Sequence, residues 1–279
     1  MATPLTLASC ALIGFRPDRD TGRYYRLLLN DLRAKWDGPL HVATNEPDGF
    51  DPGIDLQTVT DVAALRRCLW DDDQWQEEYH RRLGWHPRNY GIGQYKFPHM
   101  IEVYLAKTEL MLRAAEQYGE IVWLDAGLLF SVFHDHAVPN DWTGYDRDRL
   151  NQGLSPWLDG FHRDRPVVAT IPRKWRPLKN HRPSFHGLTY HDMGGLAHRA
   201  QAKPLPFYTV AGAMRLSAQD AALIRREWPA IWADMLGMGR AGTEETVLSV
   251  LAWRHNWHPV PLAEWMTRVA VPPVGWTGP

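Results

Sequence analysis

The residues best suited to chemistry are carboxylates at two element boundaries. Asp125 closes the apolar run Ile121-Val122-Trp123-Leu124 and is followed by Ala126-Gly127. Ligands of open α/β sheets lie in the crevice beyond the carboxyl ends of the strands, so an aspartate there can take hydroxyls or one position on a metal ion. A glycine two residues on leaves room for a ligand or a backbone turn. Asp also ends strands simply because it stabilises turns. The second pair, Glu244-Glu245, follows Thr243 and opens a helical run. One of the two can act as a general base toward a hydroxyl. A helix dipole equally favours glutamates in its first turn, with Thr243 as cap. Both readings stand at this point.

Other groups could join them. Lys107 lies one turn before Met111 at the edge of an apolar helical stripe, either as a snorkelling surface lysine or as a cation aimed at phosphate. His191-Asp192-Met193-Gly194-Gly195 offers a second titratable pair in a glycine-bearing loop. Five basic residues and no acid fall within 173–182, a cluster that can meet an anionic diphosphate or form an exposed loop. His134-Asp135-His136 lacks further ligands at metal-site spacing. The acidic run from Asp71 to Asp73, with Glu77 and Glu78, reads as a solvated face. Residues 89–94 carry two glycines but no third in the register of a dinucleotide fingerprint.

The elements that must position these groups follow from periodicity. A strand is expected over 5–15, then a helix over 24–35 with Leu27, Leu28 and Leu32 on one side, then strands at 40–44 and 54–59. Strand, helix, strand at this spacing implies βαβ units and a largely parallel sheet. The loops after the first two strands, at Phe15-Arg16 and Thr44-Asn45, would open on the same edge as Asp125. Residues 62–70 read as a helix. A longer one starts near Pro98, buries Ile101, Leu105, Met111, Leu112 and Ala115, and ends near Gly119. Residues 131–205 are rich in Pro, Trp, His and Gly and poor in periodicity, apart from a strand at 167–171. Residues 207–214 form a strand broken by Gly212, where a bulge or close ligand approach is expected. Ser217 and Asp220 read as a capping box, a further helix covers 246–254, and 257–261 begins a closing strand or tail.

Composition bounds the class. The chain has 279 residues, 44% hydrophobic and 23% charged, ample for one large α/β domain or two small ones. A net charge of −1 gives no bulk attraction to nucleic acid or membrane. Fourteen Trp suit sugar- or base-stacking surfaces as well as a core. Cys10 and Cys68 show no metal or redox spacing, and the apolar start lacks the basic flank and cleavage site of a signal peptide. No run is apolar enough for a transmembrane segment. A cytoplasmic location is the expectation.

Taken in order over about 95–255, Lys107, Trp123-Leu124-Asp125-Ala126-Gly127, Gly194-Gly195, Ala211-Gly212 and Gly242-Thr243-Glu244-Glu245-Thr246-Val247-Leu248 resemble a GT-A glycosyltransferase core. More narrowly they are similar to the HtrL/YibB-like bacterial proteins grouped with nucleotide-sugar transferases. The last segment resembles the acidic, acidic-or-amide, x-x-Leu helix start that many GT-A enzymes place beneath the acceptor. The resemblance implies a single α/β GT-A-like domain over 1–279, with a central mostly parallel sheet flanked by helices. Residues 1–130 would be a Rossmann-like nucleotide-sugar half and 131–279 an acceptor-side half. It implies donor contacts from Phe15, Arg16, Asn45, Lys107, Trp123, Asp125, Ala126, Gly127 and Gly212. His191, Asp192, Gly194 and Gly195 would lie on the acceptor side, with Glu244 and Glu245 as catalytic candidates. The partners implied are a nucleotide-sugar donor and a glycan, lipid-linked or small-molecule acceptor. The cofactor implied is Mn²⁺ or Mg²⁺, with Asp125 and His258 as ligands. One departure matters: the second aspartate of the family's D-x-D pattern is Gly127 here, which leaves metal dependence open. It also keeps alive a catalytically silent nucleotide-sugar- or glycan-binding protein on the same fold.

Overall fold

A computed structural model describes residues 5–15, 21–72, 74, 99–129, 144–152, 165–172, 184–185, 188–205, 207–239 and 242–276. The first half contributes β1 (Thr6–Ala11), α1 (Thr21–Lys35), β2 (Leu40–Thr44), β3 (Asp55–Thr58), α2 (Val62–Arg67), α3 (His99–Tyr118) and β4 (Glu120–Leu124). The second contributes β5 (Val167–Pro172), β6 (Ser184–Phe185), β7 (Leu188–Thr189), α4 (Tyr190–Arg199), β8 (Phe207–Ser217), α5 (Ala218–Gly237), α6 (Glu244–His255), β9 (His258–Pro261) and α7 (Leu262–Val269).

Seven strands form one sheet in the order β3-β2-β1-β4-β8-β5-β9, and β6 and β7 form a separate hairpin pair. Strands from both halves of the chain therefore share the sheet. The order β3-β2-β1-β4 is that of the first half of a doubly wound nucleotide-binding sheet, with its switch point between β1 and β4. The pairings β1–β2, β1–β4, β2–β3 and β5–β9 are parallel, while β8 runs antiparallel to both β4 and β5. The mostly parallel α/β sheet expected from the sequence is thus present. Because β8 alone is reversed, the other six strands all point their carboxyl ends to one edge.

Helices cover both faces, and the strand period of two divides the side chains between them. On β4, Ile121 and Trp123 enter the core beneath α2, α3, α4, α5 and α6. Val122 and Leu124 enter the opposite core beneath α1 and α7. Strands buried on both faces read as continuous apolar runs, which is why β4 looks as it does in sequence. Helix α3 is buried almost all round, and even Glu109 is 1% exposed. Its carboxylate accepts from Arg113 Nε at 2.7 Å and from Arg225 of α5 at 2.6 Å, so the buried charge is paired.

Local rules set the element ends. Gly119 takes φ +79, the left-handed conformation that ends α3 before β4 begins. Ser217 and Asp220 exchange side-chain-to-backbone bonds in the expected capping box, and α5 then continues through Pro229. Trp228 and Trp232 stack at 5.9 Å on its buried side. Two helices lie beyond the sequence reading. α4 occupies part of the stretch poor in periodicity, and α7 follows β9 where a tail was expected. Trp265, Met266 and Val269 of α7 fill the core on the α1 face. Among the described residues no helix is long and apolar enough to cross a membrane.

Candidate functional site

The candidate site gathers where β4 ends. Asp125 follows Leu124 and turns the chain, with its own Oδ1 accepting the Gly127 N–H at 2.9 Å. The Asp125 N–H donates to the Gly212 carbonyl of β8 at 2.7 Å, and its carbonyl accepts the Leu128 N–H at 3.0 Å. The other carboxylate oxygen takes the Lys107 ammonium from α3 in a direct ion pair, each side chain 21% exposed. Behind Lys107 lies Cys10 of β1. Burial pushes its thiol up to about 11, against the opposing pull of the Lys107 charge, which favours the protonated form.

Two neighbours with no marker in the sequence complete the turn. Ser9 Oγ of β1 donates to the Leu124 carbonyl at 2.5 Å, and Tyr24 Oη of α1 donates to the Gly127 carbonyl at 3.2 Å. Both contacts join residues over a hundred positions apart, and no local pattern marks them. The loops after β1 and β2 open on the same edge, as expected. There Asn45 clips one loop to the other: its Oδ1 accepts the Ile13 N–H at 2.7 Å, and its Nδ2 donates to the Ile13 carbonyl at 3.0 Å. Asn45 therefore holds the loop that leads to Phe15, which is half-buried against the α3-side core. Arg16 lies outside the described residues.

Several assignments need correction. Trp123 is 2% exposed and Ala126 also 2%, so neither presents a surface to a donor. The strand phase turns Trp123 under α3, where it is core. Gly127 is not required by crowding: a Cβ there would meet only ordinary contacts at 3.5 Å. Gly212 does lie in a bulge, since Thr170 pairs with Thr209 while Val168 pairs with Met214. What approaches it, however, is the chain itself, for a Cβ on Gly212 would fall 2.6 Å from Leu128 Cδ1.

The proposed metal pair does not come together. His258 opens β9 and is paired with Val167 at the start of β5. By register it lies level with Val122 in the middle of β4, and β5 and β8 stand between β9 and β4. Among the described residues no group of three or more His, Cys, Asp or Glu is placed to hold a metal ion. Of that pair, Asp125 remains as an oxygen donor at this edge, and Lys107 already lies on it.

The α6 carboxylates do lie near this edge. Glu244 is 6% exposed in the first turn, and Glu245 Oε1 accepts the Ala211 N–H of the β8 bulge at 2.9 Å. Thr243 is the extended cap residue, and its N–H donates to Thr246 Oγ1 at 3.3 Å. The segment 191–195 is helix rather than loop. Asp192 is buried in the first turn of α4, Gly194 and Gly195 lie inside the helix, and only the backbone of His191 is described. A Cβ on Gly195 would approach Met238 Cε at 3.2 Å, so this glycine serves close packing after α5. α4 packs on α6, and Arg254 Nε donates to the Ala200 carbonyl at 2.5 Å where both helices end. The segments 89–94, 134–136 and 173–182 lie outside the described residues.

No model of a known protein family matches the sequence, and no curated protein matches it. Among solved structures the chain is similar to mouse xyloside xylosyltransferase 1 in its apo form. That likeness covers 92% of this chain and 84% of the other, at 12% identity and a TM-score of 0.48. At that level no residue role is carried from one chain to the other.

Proposed function

We propose that the protein is a glycosyltransferase that moves a sugar from a nucleotide-activated donor to an acceptor hydroxyl. The observation that carries this reading is the edge at the β1/β4 switch point, where a part-exposed Asp125 is paired with Lys107 beside the loops that follow β1 and β2. In open α/β sheets this is where nucleotides bind.

The roles follow from the groups present. The Asp125 carboxylate takes the hydroxyls of the donor, which an acceptor-only group does well. The Lys107 ammonium is positioned at the same carboxylate and can swing to a donor phosphate, offsetting the charge that develops on the leaving diphosphate. Of the α6 pair, Glu244 supplies the carboxylate that works on the acceptor hydroxyl. Mg²⁺ commonly binds through one or two carboxylates plus substrate phosphates, and Asp125 is the residue that would hold such an ion beside a diphosphate. The HtrL/YibB-like assignment rests on the ordered motifs alone. A binding protein of the same fold would share the donor site and lack turnover.

The test is a thermal-shift panel of UDP, GDP, dTDP and their sugars, with and without Mn²⁺. A ligand that binds only the native state raises the melting temperature by mass action. Asp125→Asn should reduce the shift while the variant stays folded, because the amide keeps the Gly127 hydrogen bond. No shift from any nucleotide at millimolar concentration would remove the glycosyltransferase reading.

A further inference from the structure

The β8 bulge supports more of the site than its place in the sheet requires. A bulge leaves ladder groups unpaired, and here one of them is taken up by α6 while the next residue continues the β4–β8 ladder to Asp125. The Ala211 N–H goes to Glu245 Oε1 at 2.9 Å, and the Gly212 carbonyl takes the Asp125 N–H at 2.7 Å. These two groups belong to consecutive residues, so fixing one restrains the other. Two residues before Ala211, the Thr209 N–H donates to Ser249 Oγ at 2.9 Å, and that hydroxyl donates to the Glu245 carbonyl at 2.7 Å. Glu245 thus grips the bulge through its side chain and, by way of Ser249, through its backbone. On the far side Leu128, from the turn that Asp125 opens, fills the space above Gly212.

From this chain of contacts we infer that Glu245 is a positioning residue for Asp125, acting through the β8 bulge, and is not the acceptor base. The seating of Asp125 stands on geometry alone; its consequence for donor binding rests on the glycosyltransferase reading. What the Ala211 contact demands is an acceptor for one backbone N–H. A glutamine carbonyl oxygen can meet that demand, whereas a base must carry the charge.

The experiment compares Glu245→Gln and Glu245→Ala by backbone amide exchange, UDP affinity and turnover. In Glu245→Ala the Ala211 and Asp125 amides should both exchange roughly tenfold faster or more, while the β1 and β2 amides keep their protection. UDP binding should weaken by roughly tenfold, as expected when one charge-assisted contact is misplaced. Glu245→Gln should restore protection and affinity and keep turnover within a few-fold. On an Asp125→Asn background, Glu245→Ala should bring no further loss of UDP affinity, because both changes act on one contact.

Two results would overturn the inference. One is an Asp125 amide that exchanges at the wild-type rate in Glu245→Ala. The other is a Glu245→Gln protein with normal protection whose turnover falls by about 10²–10⁴, the usual effect of losing a base. If UDP, GDP and dTDP all fail to bind the wild type, the glycosyltransferase reading falls, and amide exchange still decides the clamp.

Discussion

Lys107 and Asp125 should be energetically coupled, and a double-mutant cycle with Lys107→Met, Asp125→Asn and the pair together measures it. Each side chain is 21% exposed, between the regimes of surface and buried ion pairs. Exposed pairs couple by about 0.2–1 kcal/mol, and breaking a buried one costs about 3–5 kcal/mol. A coupling of about 1–2 kcal/mol is therefore expected here. Asp125→Asn keeps Oδ1 for the Gly127 N–H, so it removes the charge and leaves the turn intact. Lys107→Met keeps most of the apolar stem and removes the ammonium. Urea unfolding followed by tryptophan fluorescence gives the four stabilities, at low salt and at about 1 M NaCl, where the screening length is about 3 Å. The coupling should shrink at high salt without vanishing. In the binding arm, Lys107→Met should weaken nucleoside diphosphate binding more than nucleoside binding, because only the diphosphate carries the charge. A coupling below about 0.3 kcal/mol, within the scatter of independent sites, would refute the pairing. Equal losses for both ligands would make the lysine structural.

Gly212→Ala places a methyl group 2.6 Å from Leu128 Cδ1. Overpacking of this kind should cost about 1–3 kcal/mol in urea unfolding, and Leu128→Ala in the same chain should recover part of it; an unchanged stability would mean the bulge is looser than described. Asp55 is held below the ordinary aspartate range by the Tyr118 hydroxyl, with His41 adding to the effect against partial burial. A depressed folded value means its stabilisation is complete above the ordinary value of 3.8 and is lost as pH falls through the folded value. Tyr118→Phe should flatten the acid side of the melting-temperature profile, and an unchanged profile would remove Asp55 from the acid response. Cys10 is buried and Cys68 exposed, so a thiol reagent should label one cysteine in the native protein and both after unfolding. Fast native labelling of Cys10 would show that the region behind Lys107 opens readily.

What the sequence determined is what neighbours along the chain decide among themselves. Short apolar runs bounded by turn residues marked β1, β2 and β4, a single left-handed glycine ended α3, and Ser217 with Asp220 wrote the start of α5. The position of Asp125 at a strand end was legible for the same reason, since an apolar run followed by a turn-forming aspartate is a local event. The sequence also placed the loops after β1, β2 and β4 on one edge, because parallel βαβ units leave no other arrangement.

Only the tertiary structure decided which groups meet there. The reversed β8, inserted between β4 and β5, brings the Gly212 carbonyl to Asp125 and the Ala211 N–H to Glu245. Neither contact has any signature within a window of residues. Trp123 went to the core because the phase of β4 and the helix that covers that face set its direction, and both depend on register with distant strands. His258 fell away from Asp125 because β9 joins the sheet beyond β5 and β8, in a register that sets its first residue level with Val122 of β4. Lys107 reached Asp125 because α3 packs over β1 and β4 on one face of the sheet, which carries its middle past the end of β4. Spacing along a chain names the candidates, and the pairing of strands remote in sequence sets which of them share a site.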